Sequence, residues 1–296
     1  MHMKKADDFD PEVLKLFDKY VHGIIDRRGF LSGATKYAVG GVSAAMLLEA
    51  LNPKFALAQK IAPDDKRIKA SYVEYPSPQG HGKVRGYLVM PANAGGKRPG
   101  VLVVHENRGL NPHIEDVARR MALEGFVAFA PDGLTSLGGY PGDEDKGREA
   151  FAKLDKAKLN HDFVAGAEYL KNHPATTGKI GAVGFCYGGS VVNMLAARLP
   201  SLDAAVPFYG DQPSVEDTAK IRAPLLIHYA EKDERVNAGA AAYERALKAA
   251  EADYTVHYYA GTQHGFHNDA TPRYDEAAAR LAWRRTVDFF KRHLTA

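Results

Sequence analysis

The stretch IGAVGFCYGG at residues 180–189 decides how the rest of the chain is interpreted. Its first six residues are mostly apolar and typical of a buried β-strand, and its last four form a glycine-rich turn. Cys186 stands at the centre of that turn, with Gly184 two residues before it and Gly188 two residues after it. This spacing predicts a strained strand-to-helix turn that exposes a nucleophile, because a side chain at either glycine would collide with neighbouring backbone.

The same turn offers a hydrogen-bond donor beside the nucleophile. The backbone N–H of Tyr187 follows Cys186 at the predicted start of a helix, where the helix dipole favours a thiolate and an oxyanion alike. The alternative interpretation of Cys186 is a buried structural thiol, since free cysteine is among the most buried residue types. Its place at the centre of a two-sided glycine motif favours the nucleophile.

The composition excludes several classes of protein. The chain has 296 residues, of which 45% are hydrophobic, 28 are glycine and one is cysteine. A single cysteine forms neither an internal disulfide nor a cysteine-based zinc or iron–sulfur site. The net charge of +3, from 39 basic and 36 acidic side chains, lacks the basic excess of a nucleic-acid-binding protein, so no nucleic-acid partner is expected.

Strands and helices alternate on both sides of the central turn. Two β-rich runs predict an antiparallel hairpin at 71–75 and 83–90, and further strands are predicted at 101–105, 126–130, 180–185, 204–209, 225–230 and 254–259. Helical patterns occupy 114–124, most of 145–173, 190–199, 238–250 and 274–293. This alternation predicts an α/β fold with a mostly parallel central sheet and helices on both faces.

A cysteine nucleophile needs a base and an acid that orients the base, and candidates for both follow Cys186 in the chain. Asp233 comes just after one predicted strand, and His264 comes just after the last one. The resulting order is nucleophile, acid, histidine. The alternative residues are Glu231 and Glu234 for the acid and His267 for the base. No recognised set of metal ligands is present, so neither a metal nor a cofactor is expected.

The loop after the strand at 101–105 supplies two more candidate groups. The backbone N–H of Asn107 is the second candidate oxyanion donor, because this loop has that role when a nucleophile sits on such a turn. Glu106 precedes it and is either a carboxylate near the nucleophile or an exposed loop carboxylate. The residues alone leave these two interpretations of Glu106 open.

Together these motifs resemble the dienelactone hydrolase (carboxymethylenebutenolidase) family of α/β-hydrolases over roughly residues 70–295. The resemblance rests on Gly-x-Cys-x-Gly-Gly at 184–189, the glutamate loop at 105–109, Asp-x-x-Val at 233–236 and His-x-Phe at 264–266. It implies an α/β-hydrolase fold and a triad of Cys186, Asp233 and His264 that hydrolyses an ester or lactone through a thioester. It also implies that Glu106 takes the thiol proton once substrate displaces it.

The same resemblance implies how the substrate is held. Family members that open dienelactones bind the substrate carboxylate with two arginines, and Arg148 roughly matches one of them. The other position, four residues after His264, holds Asn268, so half of this clamp is missing and the sequence departs here from the members that open dienelactones. The other candidate contacts are Arg108, Arg273 and, in the glycine-rich segment 134–144, Tyr140.

Residues 1–58 differ from the rest of the chain, which is expected to form one domain at 59–296. A helical pattern at 7–25 puts seven apolar residues on one face, namely Val13, Leu14, Leu16, Phe17, Tyr20, Val21 and Ile24. The pair Arg27-Arg28 followed by Phe30-Leu31 resembles a twin-arginine export signal, and residues 56–58 fit a small-x-small cleavage pattern. The apolar run at 38–48 is too short to predict a membrane span.

Two interpretations of this N-terminal segment follow. The first is an export leader, which implies a periplasmic or secreted protein. The second is a helical extension retained on a cytoplasmic protein, where it packs on the domain or joins a homo-oligomer. For the whole chain, the predicted function is hydrolysis of a small ester or lactone. The alternative is a non-catalytic or redox-sensing α/β-hydrolase scaffold.

Overall fold

One eight-stranded sheet organises the molecule. The computed structural model describes residues 4–93 and 95–295, except for the side chains of Ala56 and Leu57, on which the expected cleavage pattern falls. The sheet order is β1-β2-β4-β3-β5-β6-β7-β8. The strands are β1 (Ile68–Ser77), β2 (Gly82–Pro91), β3 (Arg98–Val104), β4 (Val127–Pro131), β5 (Thr176–Phe185), β6 (Ala204–Phe208), β7 (Leu225–Ala230) and β8 (Tyr254–Tyr259).

The pairing of the strands confirms the predicted α/β fold. Strands β3 to β8 run parallel to one another, whereas β1 and β2 form an antiparallel hairpin at one edge, with β2 also antiparallel to β4. Strands β3, β4 and β6 are almost fully buried, as expected for a parallel sheet covered on both faces. The carboxyl ends of these strands therefore meet at one edge, where such folds place their ligands.

Helices cover both faces of the sheet. The helices of this domain are α5 (Pro112–Leu123), α6 (Glu144–Ala152), α7 (Lys156–Asn172), α8 (Tyr187–Arg198), α9 (Val215–Thr218), α10 (Glu234–Ala249) and α11 (Glu276–Leu294). On one face of the sheet, α7, α8 and α10 pack on side chains such as Leu102 and Val104 of β3. On the other face, α5 and α11 pack on Val101 and Val103. The short helix α9 lacks a sequence prediction.

The N-terminal segment has a small core of its own. Its helices are α1 (Pro11–Val21), α2 (Arg27–Ala34), α3 (Ala44–Leu51) and α4 (Phe55–Ala58). Ten of their side chains and neighbours form one buried cluster: Phe9, Val13, Leu14, Phe17, Tyr20, Val21, Phe30, Ala34, Leu48 and Leu51. Among the described residues, no helix is long and apolar enough to span a membrane.

Helix α1 is shorter than the predicted helix at 7–25. Asp10 caps its start by accepting from the N–H of Glu12, and Pro11 occupies the first helical position. Its end is at Val21, followed by Gly23 with a φ of +74°. The predicted apolar face is therefore wrong at Ile24, which is 60% exposed beyond the end of the helix.

Candidate active site

Cys186 lies on a strained turn between β5 and α8. Its φ is 55°, a left-handed conformation that is uncommon for a residue other than glycine. The flanking glycines are required by space, since a Cβ at Gly184 would lie 2.1 Å from the carbonyl oxygen of Gly188. A Cβ at Gly188 would lie 2.3 Å from the carbonyl oxygen of Val104. The strand–turn–helix context expected for this turn is therefore present.

Asp233 and His264 form a buried pair beside this turn. Asp233 precedes α10 and His264 lies in the loop after β8, so both side chains reach the carboxyl edge of the sheet. The Nδ1 of His264 is 2.6 Å from Oδ2 of Asp233. The other ring nitrogen, Nε2, has no hydrogen-bond partner among the described residues. The thiol of Cys186 and the rings of His264 and His22 bring their donor atoms within 4.8 Å of one another.

The alternative acids and the alternative histidine lie in other contacts. Glu231 accepts a hydrogen bond from the N–H of Gly261 at 2.7 Å, and Glu234 is the exposed first residue of α10. His267 is stacked on Phe185, and burial lowers its pKa well below the ordinary histidine value. The structure thus places Asp233 and His264 together, and the other candidates apart from that pair.

His22, which the sequence did not single out, touches the cysteine. Its Nε2 is 3.5 Å from Sγ of Cys186, and its ring stands edge-on to that of His264 at 4.8 Å between centroids. The Nδ1 of His22 is 2.8 Å from the carbonyl oxygen of Asp18 and 3.4 Å from its carboxylate Oδ1. Nη2 of Arg235 lies 2.9 Å from Nε2 of His22. The N-terminal segment therefore reaches Cys186.

Positive charge around Cys186 favours the thiolate. Burial opposes ionisation, but the charges of His264 and His22 outweigh it and lower the pKa of Cys186 to about 6. For His264, burial opposes the charged ring, while the Cys186 thiolate and the Asp233 carboxylate raise its pKa to about 10. Both histidines therefore act to favour the thiolate form of Cys186.

The three donor groups are also of the kind that bind zinc. A guanidinium 2.9 Å from Nε2 of His22 places a positive charge where a metal ion would need that lone pair. Arg235 itself is held by Asp211, 2.7 Å away. The arrangement therefore fits a reactive thiolate better than a metal ion.

The loop after β3 and Cys186 line the same cavity. Glu106 is 6% exposed, and its Oε2 accepts a hydrogen bond from the side chain of Asn268 at 2.8 Å. The interpretation of Glu106 as an exposed carboxylate is therefore wrong. Asn107 lines the cavity at the nucleophile, and its side chain donates to the carbonyl oxygen of Val21 at 2.7 Å. Tyr187 is the first residue of α8, a position whose N–H has no partner within the helix.

A cavity of about 710 Å³ opens onto Cys186 between the N-terminal segment and the larger domain. It is lined by Val21, His22, Gly23, Ile25, Asp26, Asn107, Arg148, Glu149, Phe151, Ala152, Lys153, Lys156, Cys186, Tyr187, Tyr209, Asp211 and Arg235. A volume of this size is in the range of small-molecule sites.

Of the residues expected to contact substrate, one lines the cavity and the other three contact carboxylates. Arg148 lines the cavity, with its guanidinium 4.1 Å from the centroid of the Tyr20 ring. Neither Arg108 nor Tyr140 is among the described residues that line the cavity. Both contact Glu144 instead, Arg108 at 2.9 Å and Tyr140 at 2.8 Å. Arg273 is paired with Asp18 at 3.2 Å. Arg108 and Arg273 are thus already neutralised by carboxylates.

Sequence reasoning missed the groups that come from distant parts of the chain. His22 and Cys186 are 164 positions apart, and twelve histidines in the sequence give no reason to single out one of them. The available signal was local: His22-Gly23 follows the apolar face of a capped helix, a place where the chain must turn. Nothing in that signal indicates what the ring contacts.

The fold and these contacts define the class of protein. An eight-stranded, mostly parallel sheet with a strained, glycine-flanked strand-to-helix turn after β5 is that of an α/β-hydrolase-like protein. The family model described as "Dienelactone hydrolase family" matches residues 84–294. The chain therefore belongs to the dienelactone hydrolase family and is a hydrolase of that family. A second family model, described as YqhI-like, matches residues 1–39.

Relatives and solved structures agree with this assignment. "Protein usf" of Aquifex pyrophilus is 38% identical over 223 residues, covering 72% of this chain and 95% of that protein. A protein of Aquifex aeolicus provisionally named a carboxymethylenebutenolidase is 34% identical, covering 72% of this chain and 94% of the relative. The crystal structure of a provisionally named dienelactone hydrolase from Klebsiella pneumoniae matches with a TM-score of 0.67 and 29% identity, covering 75% of this chain and 98% of that one.

Proposed function

We propose that the protein hydrolyses small esters or lactones with Cys186 as the nucleophile. The observation that carries this proposal is the position of Cys186 on a strained turn, at the wall of a cavity of about 710 Å³ and beside the Asp233–His264 pair. Cysteine, histidine and an orienting carboxylate in this arrangement are the parts of a nucleophilic triad.

The proposed reaction passes through a thioester. The thiolate of Cys186 attacks the carbonyl carbon, and the carbonyl oxygen takes the negative charge. The backbone N–H groups of Tyr187 and Asn107 stabilise that oxyanion, each commonly worth about 3–4 kcal/mol. His264, protonated and held by Asp233 at 2.6 Å, donates its proton to the leaving alkoxide or enolate.

Hydrolysis of the thioester regenerates the enzyme. His264, now neutral, takes a proton from a water molecule as that water attacks the acyl carbon. The tetrahedral intermediate then expels the thiolate of Cys186 and releases a carboxylic acid. Because Asp233 bonds Nδ1, Nε2 of His264 remains the nitrogen that exchanges protons in both halves.

The proposed substrate has a good leaving group. A thiolate is itself readily expelled, so a simple alkoxide would be retained and the thiolate released again. Activated esters and enol lactones avoid this, because an enolate or phenolate leaves more easily. Arg148 at the cavity wall supplies one positive charge for an acidic substituent, whereas Arg108 and Arg273 are paired with carboxylates.

Hydrolysis of an activated aryl ester tests the proposal. Wild type and the variants Cys186→Ala and Cys186→Ser are compared with p-nitrophenyl acetate and a panel of lactones. We expect kcat/KM of Cys186→Ala to fall by about a thousandfold or more, as for loss of other triad nucleophiles. Full activity in Cys186→Ala would show that another residue performs the chemistry.

For the N-terminal segment we propose retention on the mature protein. Support comes from its buried side chains and from contacts such as Tyr20–Asp145 at 2.5 Å and Asn107–Val21 at 2.7 Å. Export through the twin-arginine pair stays the alternative prediction. The intact mass of the protein isolated from its native host decides, since removal of a leader ending at residue 58 would shorten the chain.

A further inference from the structure

We infer that His22, oriented by Asp18, is a second catalytic histidine that takes the proton of the Cys186 thiol. This inference rests on the proposed function, because it concerns the step that prepares Cys186 for attack. It assigns a catalytic part to the N-terminal segment, which carries both residues on and just after α1.

Cys186 lies between two Asp–His pairs. One is Asp233–His264 at 2.6 Å, from the loops after β7 and β8. The other is Asp18–His22, in which Nδ1 faces the carbonyl and carboxylate oxygens of Asp18 at 2.8 and 3.4 Å. Since both of those partners only accept hydrogen bonds, Nδ1 of His22 carries the proton and Nε2 presents its lone pair. That lone pair lies 3.5 Å from Sγ.

The surroundings supply what an imidazolium at His22 would need. Burial disfavours the charged ring, but the Cys186 thiolate and the Asp18 carboxylate together raise the pKa of His22. Asp18 is itself held as a carboxylate: burial opposes its charge, yet contacts with His22, His264 and Arg273 lower its pKa far below the ordinary range. The charged form of His22 is therefore stabilised by the Cys186 thiolate on one side of the ring and by the Asp18 carboxylate on the other.

Proton transfer to His22 needs one local rearrangement. In the structure, Nη2 of Arg235 donates to Nε2 of His22 at 2.9 Å, which requires an unprotonated nitrogen. When the S–H bond of Cys186 breaks, its electron pair stays on sulfur and the proton forms an N–H bond at Nε2; the same proton returns to the sulfur once the thiolate has been expelled at the end of the cycle. Arg235 then turns away, still bound to Asp211 at 2.7 Å. Its guanidinium remains close enough to favour the new thiolate.

Glu106 contacts a different group in the structure. Its Oε2 is bound by the side chain of Asn268 at 2.8 Å, and Glu106 is not a partner of Sγ among the described hydrogen bonds. The charged or titratable groups near the sulfur are His22 and Arg235 on one side and His264, with Asp233 behind it, on the other.

Alkylation of Cys186 across pH tests the inference directly. Full-length wild type and His22→Gln are treated with iodoacetamide between pH 4.5 and 9, and the single cysteine makes the rate unambiguous. The matched control is His161→Gln, which changes an exposed histidine on α7. We expect the kinetic pKa of Cys186 to rise by about one unit in His22→Gln, so the rate at pH 6 falls roughly fivefold while the rate at pH 9 changes less than about twofold.

Stopped-flow hydrolysis of p-nitrophenyl acetate gives the second readout. General bases commonly contribute about 10²–10⁴-fold, and two histidines share this site, so we expect acylation of His22→Gln to slow by at least about tenfold near pH 6. Deacylation, which uses His264, should change by less than about threefold. If His22→Gln fails to fold, Asp18→Asn is used, and its kinetic pKa should rise in the same direction.

The outcomes separate the two proposals. A kinetic pKa and an acylation rate in His22→Gln equal to those of His161→Gln would overturn the inference and leave Cys186 as the nucleophile. Full ester hydrolysis by Cys186→Ala would instead overturn the proposed function, while the alkylation profile would still report whether His22 acts on the thiol. A uniform fall in alkylation at every pH would assign His22 a structural part only and overturn the inference.

Discussion

At the scale of single residues, the reactivity of the centre depends on one backbone torsion and a few charges. Cys186 keeps a φ of 55° because β5 ends and α8 begins on either side of it, with glycines where side chains would collide. The thiol then sits at a helix N-terminus among cationic side chains, which favours the thiolate. Geometry and charge thus act on the same sulfur atom.

The pH dependence of the thiol follows from these charges. Because the pKa of Cys186 is lowered to about 6, alkylation should be half-maximal near pH 6 instead of near 8.5, and it should fall as pH drops below that value. Asp233→Asn weakens the positive charge on His264, so we expect the midpoint to move upward. The rate of alkylation by iodoacetamide across pH, measured on wild type and Asp233→Asn, checks this shift. An unchanged midpoint would contradict the assignment of the lowered Cys186 pKa to the charge of His264.

Gly188 is a position in the turn at which an added methyl group would collide with backbone. A Cβ there would lie 2.3 Å from backbone, so Gly188→Ala should reduce the free energy of unfolding by about 3 kcal/mol or prevent folding. Urea denaturation followed by circular dichroism measures the change. Gly95→Ala is the control, since no atom of the described residues beyond its chain neighbours lies within 4 Å of a Cβ at that position. Equal stability of the two variants would contradict the packing argument.

Asn268 keeps a buried carboxylate satisfied. Removing its amide in Asn268→Ala leaves Oε2 of Glu106 without its donor, and we expect a loss of about 1–3 kcal/mol in unfolding free energy. The companion variant Glu106→Gln keeps an oxygen for the same donor and should cost less. Thermal and urea unfolding measure the loss of stability in Asn268→Ala and in Glu106→Gln. A larger loss of unfolding free energy in Glu106→Gln than in Asn268→Ala would contradict this interpretation of the contact.

At the scale of elements, α1 is the helix that ties the N-terminal core to the site. Phe17 is buried in that core, and the guanidinium of Arg273 lies 5.4 Å from its ring centroid. Phe17→Ala should weaken this packing by about 3–5 kcal/mol, so amide protons of α1 to α3 exchange faster while those of the sheet do not. Lys15→Ala, an exposed change on the same helix, is the control. Unchanged amide-proton exchange of α1 in Phe17→Ala would contradict this role of Phe17.

How well the elements were predicted depends on whether local signals alone set their limits. Strands β7 and β8 lie at the predicted residues, since each is a short run of strand-forming residues bounded by turn signals. Helix α1 was predicted four residues too early and four too late, because its capping residue Asp10 and the turn at Gly23 overrode the apolar periodicity. Helix α9 has four residues, too few to show a period.

In the candidate site too, the features set by local sequence signals were predictable and the others were not. The turn at Cys186 and the order of Asp233 and His264 could be predicted, because strand-loop positions in a parallel sheet fix where such residues meet. The contacts of His22, Arg235 and Asn268 could not, since they depend on docking between segments more than a hundred positions apart. Arg108 was a plausible substrate contact only until its partner Glu144 was placed beside it.

At the scale of the whole molecule, the cavity is formed where two packed units meet. Val21 and Ile25 come from the N-terminal segment, while Phe151 and Tyr187 come from the larger domain. The contacts across this boundary include ion pairs at Arg27–Asp145 and Arg273–Asp18, and a backbone bond from Lys54 to Ala270. The N-terminal segment therefore limits the size of what can reach Cys186.

Substrate size should respond to this wall. Ile25→Ala enlarges the cavity, so we expect the ratio of kcat/KM for p-nitrophenyl butyrate over acetate to rise by about three- to tenfold, the range of roughly one methylene contact. Ile24→Ala is the control, because Ile24 is 60% exposed and does not line the cavity. An equal ratio in both variants would show that the N-terminal segment does not contact the acyl chain.

The long separation between Asp18 and Arg273 has a consequence for how the enzyme matures during synthesis. The two partners are 255 positions apart, so α1 leaves the ribosome long before its binding surface exists. At about 5–20 residues per second, roughly 13–51 s pass before Arg273 is made. Cys186 and His264 are likewise translated well after His22. Helix α1 therefore docks fully only after Arg273 has been made, and the thiol acquires its full reactivity only after His264 has been made.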